Sequence, residues 1–99
     1  MKILLICSAG MSTSLLVTKM EKAAAARGLD LTIYAHAASE AKRMLDKADI
    51  VLLGPQVRFM KGEIDKLAKV PVQVIDMRAY GTMNGDKVID DALKELNMQ

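Results

Sequence analysis

A lone thiol, four hydroxyls and a glycine crowd into Cys7-Ser8-Ala9-Gly10-Met11-Ser12-Thr13-Ser14, and Cys7 is the only cysteine of the chain. The residues before it, Ile3 to Ile6, form an unbroken apolar run. Those after it are small enough for a tight turn that opens a helix, with Gly10 free to take a positive φ. A thiol at the end of a strand and the start of a helix meets converging backbone N–H groups and a positive helix end. Such surroundings bind anions and favour a thiolate. N–H groups from about Ala9 to Ser14, helped by the hydroxyls of Ser8, Ser12, Thr13 or Ser14, could hold first a thiolate and then a phosphoryl group carried on it. The same donors would offset charge on phosphoryl oxygens during in-line transfer. Alternatively, Cys7 is a small buried hydrophobe and the Ser-Thr-Ser run merely caps a helix. The residues alone leave both readings open.

Two enzyme motifs can be set beside the loop. A nucleotide-binding loop needs Gly-Lys-Ser/Thr after its glycine turn, and no lysine lies between Cys7 and Lys19. The cysteine phosphatase motif requires an arginine at the position held by Thr13. Without that guanidinium a phosphatase loses its bidentate hold on the transferring group. A phosphoryl group on Cys7 would then await another acceptor, which favours a carrier over a hydrolase. A phosphatase or arsenate-reductase-like enzyme and a flavodoxin-type anion-binding module are the alternatives.

The elements that must position this loop alternate along the chain. Ile3–Cys7 reads as a strand covered on both faces. A helix over Ser12–Arg27 follows, with Leu16, Met20, Ala23 and Ala24 on one stripe and Gly28 ending it. Leu29–His36 alternates strictly between apolar and polar residues, which suits an edge strand with one wet face. Ser39 is expected to cap a short helix carrying Ala41, Met44, Leu45 and Ala48. Ile50–Leu53 is a second wholly apolar strand, closed by Gly54-Pro55. A helix from near Phe59 places Met60, Ile64, Leu67 and Ala68 on one face. Val72–Ile75 makes a fourth strand, with Pro71 tolerable at its start. A loop over residues 76–85 leads to a last helix with Ile89, Ala92, Leu93 and Leu96 inward.

This alternation predicts an α/β fold: an open four-stranded parallel sheet in the order 2-1-3-4 with helices on both faces. Ligands of such sheets bind beyond the carboxyl ends of the strands, where the winding reverses. Cys7 would stand there, with Gly54 as its neighbour.

Ninety-nine residues, 52% of them apolar, suit a single domain over 1–99 with an aliphatic core. A net charge of +2 with scattered Lys and Arg argues against nucleic-acid binding. No apolar stretch approaches the ~20 residues of a membrane span, and the N-terminus lacks a signal-peptide pattern. A single cysteine excludes an intrachain disulfide and fits a reducing, cytoplasmic setting. No metal-ligand spacing stands out, so no metal or other cofactor is expected. The sole histidine, His36, reads as a solvated side chain of the edge strand. Arg58 and Lys61 read as exposed charges at a helix start that could also meet a phosphate or an acidic partner. Asp76 reads as a cap. Met20, Met44 and Met60 belong to core stripes, whereas Met11 is placed in the loop.

The run Ile6 to Leu16 resembles the active-site loop of the IIB component of bacterial phosphoenolpyruvate-dependent sugar phosphotransferase systems, of the lactose/cellobiose type. The likeness extends through Val51-Leu52-Leu53-Gly54-Pro55-Gln56 and Val74-Ile75-Asp76 to Tyr80-Gly81, and so covers essentially the whole chain. Asn84 stands where that family often carries an acidic residue, a neutral departure for the phosphorylation site. The resemblance implies that Cys7 accepts a phosphoryl group from a phosphohistidine of a IIA partner. It implies onward transfer to a sugar held by the IIC membrane permease, with Ser8, Ala9, Gly10, Met11, Ser12 and Thr13 binding the phosphate. A domain that docks two partners in turn is expected to be monomeric.

Overall fold

The computed structural model describes residues 1–7 and 11–96, of which 11–13 are described in backbone only. Four strands, β1 (Lys2–Cys7), β2 (Thr32–Ala37), β3 (Ile50–Leu53) and β4 (Val72–Val74), form one sheet in the order β2-β1-β3-β4. All three pairings are parallel. The helices are α1 (Met11–Ala26), α2 (Ala38–Ala41), α3 (Lys61–Leu67), α4 (Met77–Gly81) and α5 (Gly85–Glu95). Single 3-10 segments cover Leu45–Lys47 and Pro55–Met60.

Strand periodicity explains why the apolar runs are continuous. Successive side chains of β1 point to opposite faces. Ile3 and Leu5 pack, with Ile50 and Leu52 of β3, against Leu16, Met20, Val88, Ile89 and Ala92 of α1 and α5. Leu4 and Ile6 pack, with Val51 and Leu53, against Ala41, Leu45, Val57 and Ile64 on the other face. Both faces of β1 and β3 are therefore dry. Each fully buried Leu or Ile contributes roughly 1.5–3 kcal/mol of transfer free energy, which makes this central pair the rigid base for Cys7.

The helix ends are set by local chemistry. The C-terminus of α1 closes with Gly28 at φ +70, its N–H donating to Ala25 O at 3.2 Å while Leu29 N–H donates to Ala24 O at 2.9 Å. That double bond pattern needs a left-handed residue, and glycine takes it without steric cost. Asp76 caps α4, its Oδ2 accepting from Ala79 N–H at 2.9 Å, as its position after β4 predicts. Asn84 caps α5, its Oδ1 accepting from Lys87 N–H at 3.1 Å, a role not expected from the sequence.

Several boundaries differ from the sequence expectations. α1 begins at Met11, so Met11 stands in the helix and not in the loop before it. β2 covers Thr32–Ala37, not Leu29–His36, and neither of its faces is wholly wet. Leu29, Leu31 and Ile33 pack on one core and Tyr34 on the other, so an edge strand can alternate while helices shelter both its sides. Ser39 does not cap the following helix, because α2 starts at Ala38 directly after β2 with Ala37 in the cap position. Pro55–Met60 is a 3-10 segment kinked at Val57 before α3 begins. Within α3, Ile64 is buried but Leu67 is 51% exposed, so Leu67 leaves the predicted stripe. The predicted loop over 76–85 contains α4, whose five residues are too few to show a period.

Candidate active site at the carboxyl ends of the strands

β1 delivers Cys7 to the carboxyl edge of the sheet, in register with Ala37 of the edge strand. Its side chain is buried, with 7% of the residue exposed. The thiol Sγ lies 3.8 Å from the carbonyl oxygen of His36, to which it donates a weak hydrogen bond. α1 begins four residues after Cys7, with the first N–H groups of the helix free of intrahelical partners. Ser8, Ala9 and Gly10, expected from the sequence to cradle a phosphate, lie outside the described residues, as do the side chains of Met11, Ser12 and Thr13.

On the other side of Cys7, β3 ends in Gly54, whose N–H donates to Ile6 O at 2.8 Å. Gly54 is thus the lateral neighbour that the strand order predicts. The chain then turns through Pro55, with Val57 N–H donating to Gly54 O at 3.0 Å. From β4 the chain enters α4, which brings Tyr80 over Gly54; the Tyr80 Cε2 stands 3.8 Å from where a Gly54 Cβ would be.

Between the 3-10 segment and α4 runs an open groove of about 670 Å³, lined by Pro55, Gln56, Arg58, Phe59, Met77 and Tyr80. Phe59 is 80% exposed and Met77 61%, although both are large and apolar. Exposed apolar side chains beside a crevice are a common mark of a protein-docking surface. Both elements follow strand carboxyl ends, so this groove opens on the same side of the sheet as Cys7.

The other residues singled out in the sequence fall as follows. His36 is half-buried, and its Nδ1 lies 3.8 Å from Oε2 of Glu40, four residues on in α2. Arg58 lines the groove, whereas Lys61 is engaged with Asp65 at 2.7 Å along α3. Met20 lies in the core on the α1 and α5 face, and Met44 and Met60 pack against the core on the opposite face. Among the described residues, no group of three or more His, Cys, Asp or Glu side chains could hold a metal ion. Among them, too, no helix is long and apolar enough to cross a membrane. The groove was not anticipated from the sequence, because its two walls, the 3-10 segment and α4, are far apart in the chain.

The supports of α1 lie on its far side. Gly85 opens α5 so close to α1 that an added Cβ would stand 2.7 Å from Lys19 C and Met20 N. Arg27, just beyond α1, pairs with Asp90 at 2.6 Å and Asp86 at 2.9 Å on α5. Those contacts raise the guanidinium's proton affinity and hold the Asp90 carboxyl below the usual carboxylate range, chiefly through its hydrogen bond with Arg27.

Comparison with known proteins adds to this geometry. A family model described as "PTS system, Lactose/Cellobiose specific IIB subunit" matches residues 2–91. The chain is 52% identical over 103 residues to the galactose-specific EIIB component of Lactococcus lactis subsp. cremoris, covering 96% of this chain and 95% of that protein. The solution structure of a cellobiose-specific phosphotransferase IIB component from Borrelia burgdorferi aligns at a TM-score of 0.80 and 43% identity, over 98% of this chain and 92% of that one. The chain is also similar, at 30% identity over 93 residues, to the lactose-specific EIICB component of Lacticaseibacillus casei, covering 89% of this chain and 16% of that longer protein.

Proposed function

The chain belongs to the lactose/cellobiose-specific IIB family of sugar phosphotransferase systems, and we propose that it works there as a phosphocarrier with Cys7 as the acceptor. The Cys7 thiolate attacks the phosphorus of a phosphohistidine on a IIA partner. An S–P bond forms, the N–P bond breaks, and the departing imidazole takes up a proton. A hydroxyl oxygen of a sugar held by the membrane permease IIC then attacks the phosphorus. The S–P bond breaks, the thiolate returns, and the hydroxyl proton passes to a base or to water. Covalent relay divides one long transfer into two short ones.

The observation that carries this reading is the place of Cys7, the one cysteine, at the carboxyl end of central strand β1 beside the start of α1. Backbone N–H groups from Ser8 through Thr13 are the phosphate binders in this proposal. Thr13, standing where a phosphatase has arginine, leaves the phosphoryl group held by neutral donors, firmly enough to bind and loosely enough to leave. The exposed Phe59 and Met77 offer an apolar face for transient docking of a partner protein. The EIICB name of one relative supports a IIC permease as the second partner. The protein acts as a single monomeric domain in the cytoplasm without a cofactor, and the choice of sugar lies with the permease.

The reading is tested by sugar phosphorylation in vesicles carrying IIC, supplied with phosphoenolpyruvate, the general phosphotransferase proteins, IIA and this chain. The folded Cys7→Ser variant is expected to give no sugar phosphate above background. Sugar phosphorylation by Cys7→Ser at the rate of the unaltered chain would refute the proposal.

A further inference from the structure

We infer that Gln56 is a phosphoryl-contacting residue of this site, its carboxamide lying across the bare Cα of Gly54 and donating a hydrogen bond to the group carried on Cys7. The inference rests on the reading of Cys7 as acceptor and adds to it a residue from outside the loop. Gly54 is hydrogen-bonded through its N–H to Ile6 O, the carbonyl immediately before Cys7. The point where a Cβ would stand at Gly54 lies 3.0 Å from Gln56 Oε1, 3.4 Å from Ile6 O and 3.8 Å from Tyr80 Cε2. The glutamine head group, the end of β1 and the Tyr80 ring therefore converge on one place, and the missing side chain of Gly54 makes that place available. Backbone conformation does not demand glycine there, since Gly54 has φ −62 and ψ 151. Gln56 Oε1 is the nearest atom to that point, so a methyl group there would displace the carboxamide.

The carboxamide is also uncommitted. The exposed Gln56 side chain makes no hydrogen bond to another described residue, so its two donors and one acceptor face solvent. Its terminal torsion is broad and roughly two-fold, so the NH2 can take the position of Oε1. Pro55 and the 3-10 segment fix the backbone from which it reaches. A neutral donor suits a carrier, because it stabilises developing charge on a phosphoryl oxygen without the grip of a guanidinium. Onward transfer is then not blocked.

The experiment compares the unaltered chain with Gln56→Ala, Gln56→Glu, Gly54→Ala and the Gln56→Ala/Gly54→Ala pair. Each is phosphorylated by phospho-IIA in single turnovers over a range of IIA concentrations, and each is melted in parallel. Gln56→Ala is expected to lower the maximal transfer rate about tenfold, with the half-saturating IIA concentration within about twofold, as for loss of one donor to a charged group. Gln56→Glu, which places a carboxylate against the phosphoryl oxygens, is expected to lower it about a hundredfold. Gly54→Ala displaces the carboxamide and is expected to match Gln56→Ala, with the pair no slower than either alone. Gln56→Ala and Gln56→Glu are expected to melt with the unaltered chain, because Gln56 is exposed, and the Gly54→Ala proteins are compared at a temperature where their melts show them folded. A Gln56→Ala protein that transfers at the unaltered maximal rate, or that changes only half-saturation, overturns the inference while leaving Cys7 as acceptor. If the unaltered chain gains no phosphoryl group on Cys7, the proposed function itself fails, and the inference with it.

Discussion

Gly85→Ala tests how tightly α5 holds α1, the helix that begins beside Cys7. The new methyl carbon would stand 2.7 Å from Lys19 C, 2.7 Å from Met20 N and 2.8 Å from Lys19 O. Comfortable contacts of this kind begin near about 3.5 Å, so the two helices must part by roughly 1 Å. All three atoms are backbone in the middle of α1, and no side-chain rotation relieves the overlap. Parting the helices loosens Met20, Ala23, Ala24, Val88, Ile89 and Ala92, which share one buried cluster. Overpacking of a close-packed core costs about 1–3 kcal/mol, against a helix-propensity gain from Ala that is below ~1 kcal/mol at a first-turn position. The net loss of about 1–2 kcal/mol lowers the melting temperature by roughly 4–15 °C in a domain of this size. Far-UV circular dichroism melts and urea titrations measure it, with the urea slope unchanged. Gly62→Ala is the control, since Gly62 lies in α3 with nothing within 4 Å of its Cβ position. It should gain about 0.5–1 kcal/mol. A Gly85→Ala protein as stable as the unaltered chain would refute the close approach and the reasoning built on it.

Two further outcomes follow from the caps and charges. Asp76→Ala removes the acceptor of the Ala79 N–H and should cost about 1 kcal/mol, with faster hydrogen exchange in α4, whose Met77 and Tyr80 line the groove. Unchanged exchange in α4 would count against the cap. Asp90 is held ionised below its unfolded pKa of about 3.9 by Arg27, so its contribution is present above that pH and is lost as pH falls through the lower folded value. The stability gap between the unaltered chain and Asp90→Asn should therefore be level from about pH 5 to 8 and close below about pH 4, shrinking with added salt. A gap that persists undiminished at about pH 3 would contradict this sign.

The central strands were legible because β1 and β3 are covered on both faces, which demands unbroken apolar runs at Ile3–Ile6 and Ile50–Leu53. The alternation of β2 placed it at the edge, and the order β2-β1-β3-β4 with Gly54 beside the end of β1 followed from that. The helix boundaries were harder, because short elements answer to their neighbours rather than to a period. α2 starts straight out of β2 and takes Ala37 as its cap residue, overriding the capping tendency of Ser39. α4 is five residues long, and its one local signal, Asp76, announces a turn as readily as a helix. Leu67 is apolar yet exposed, since it is the last residue of α3. Cys7 stood out in the sequence by being unique and by ending an apolar run, and the structure places it at the end of β1. The groove between the 3-10 segment and α4 carried no such signal, because its two walls are distant in sequence.

The most direct measurement is the intact mass and peptide map of the chain after incubation with phosphoenolpyruvate, the general phosphotransferase proteins and a IIA partner. One phosphoryl increment is predicted, on the peptide containing Cys7, persisting until a sugar and its permease are supplied and absent from folded Cys7→Ser. An increment on any other residue, or one that Cys7→Ser retains, would contradict the assignment of Cys7 as the acceptor.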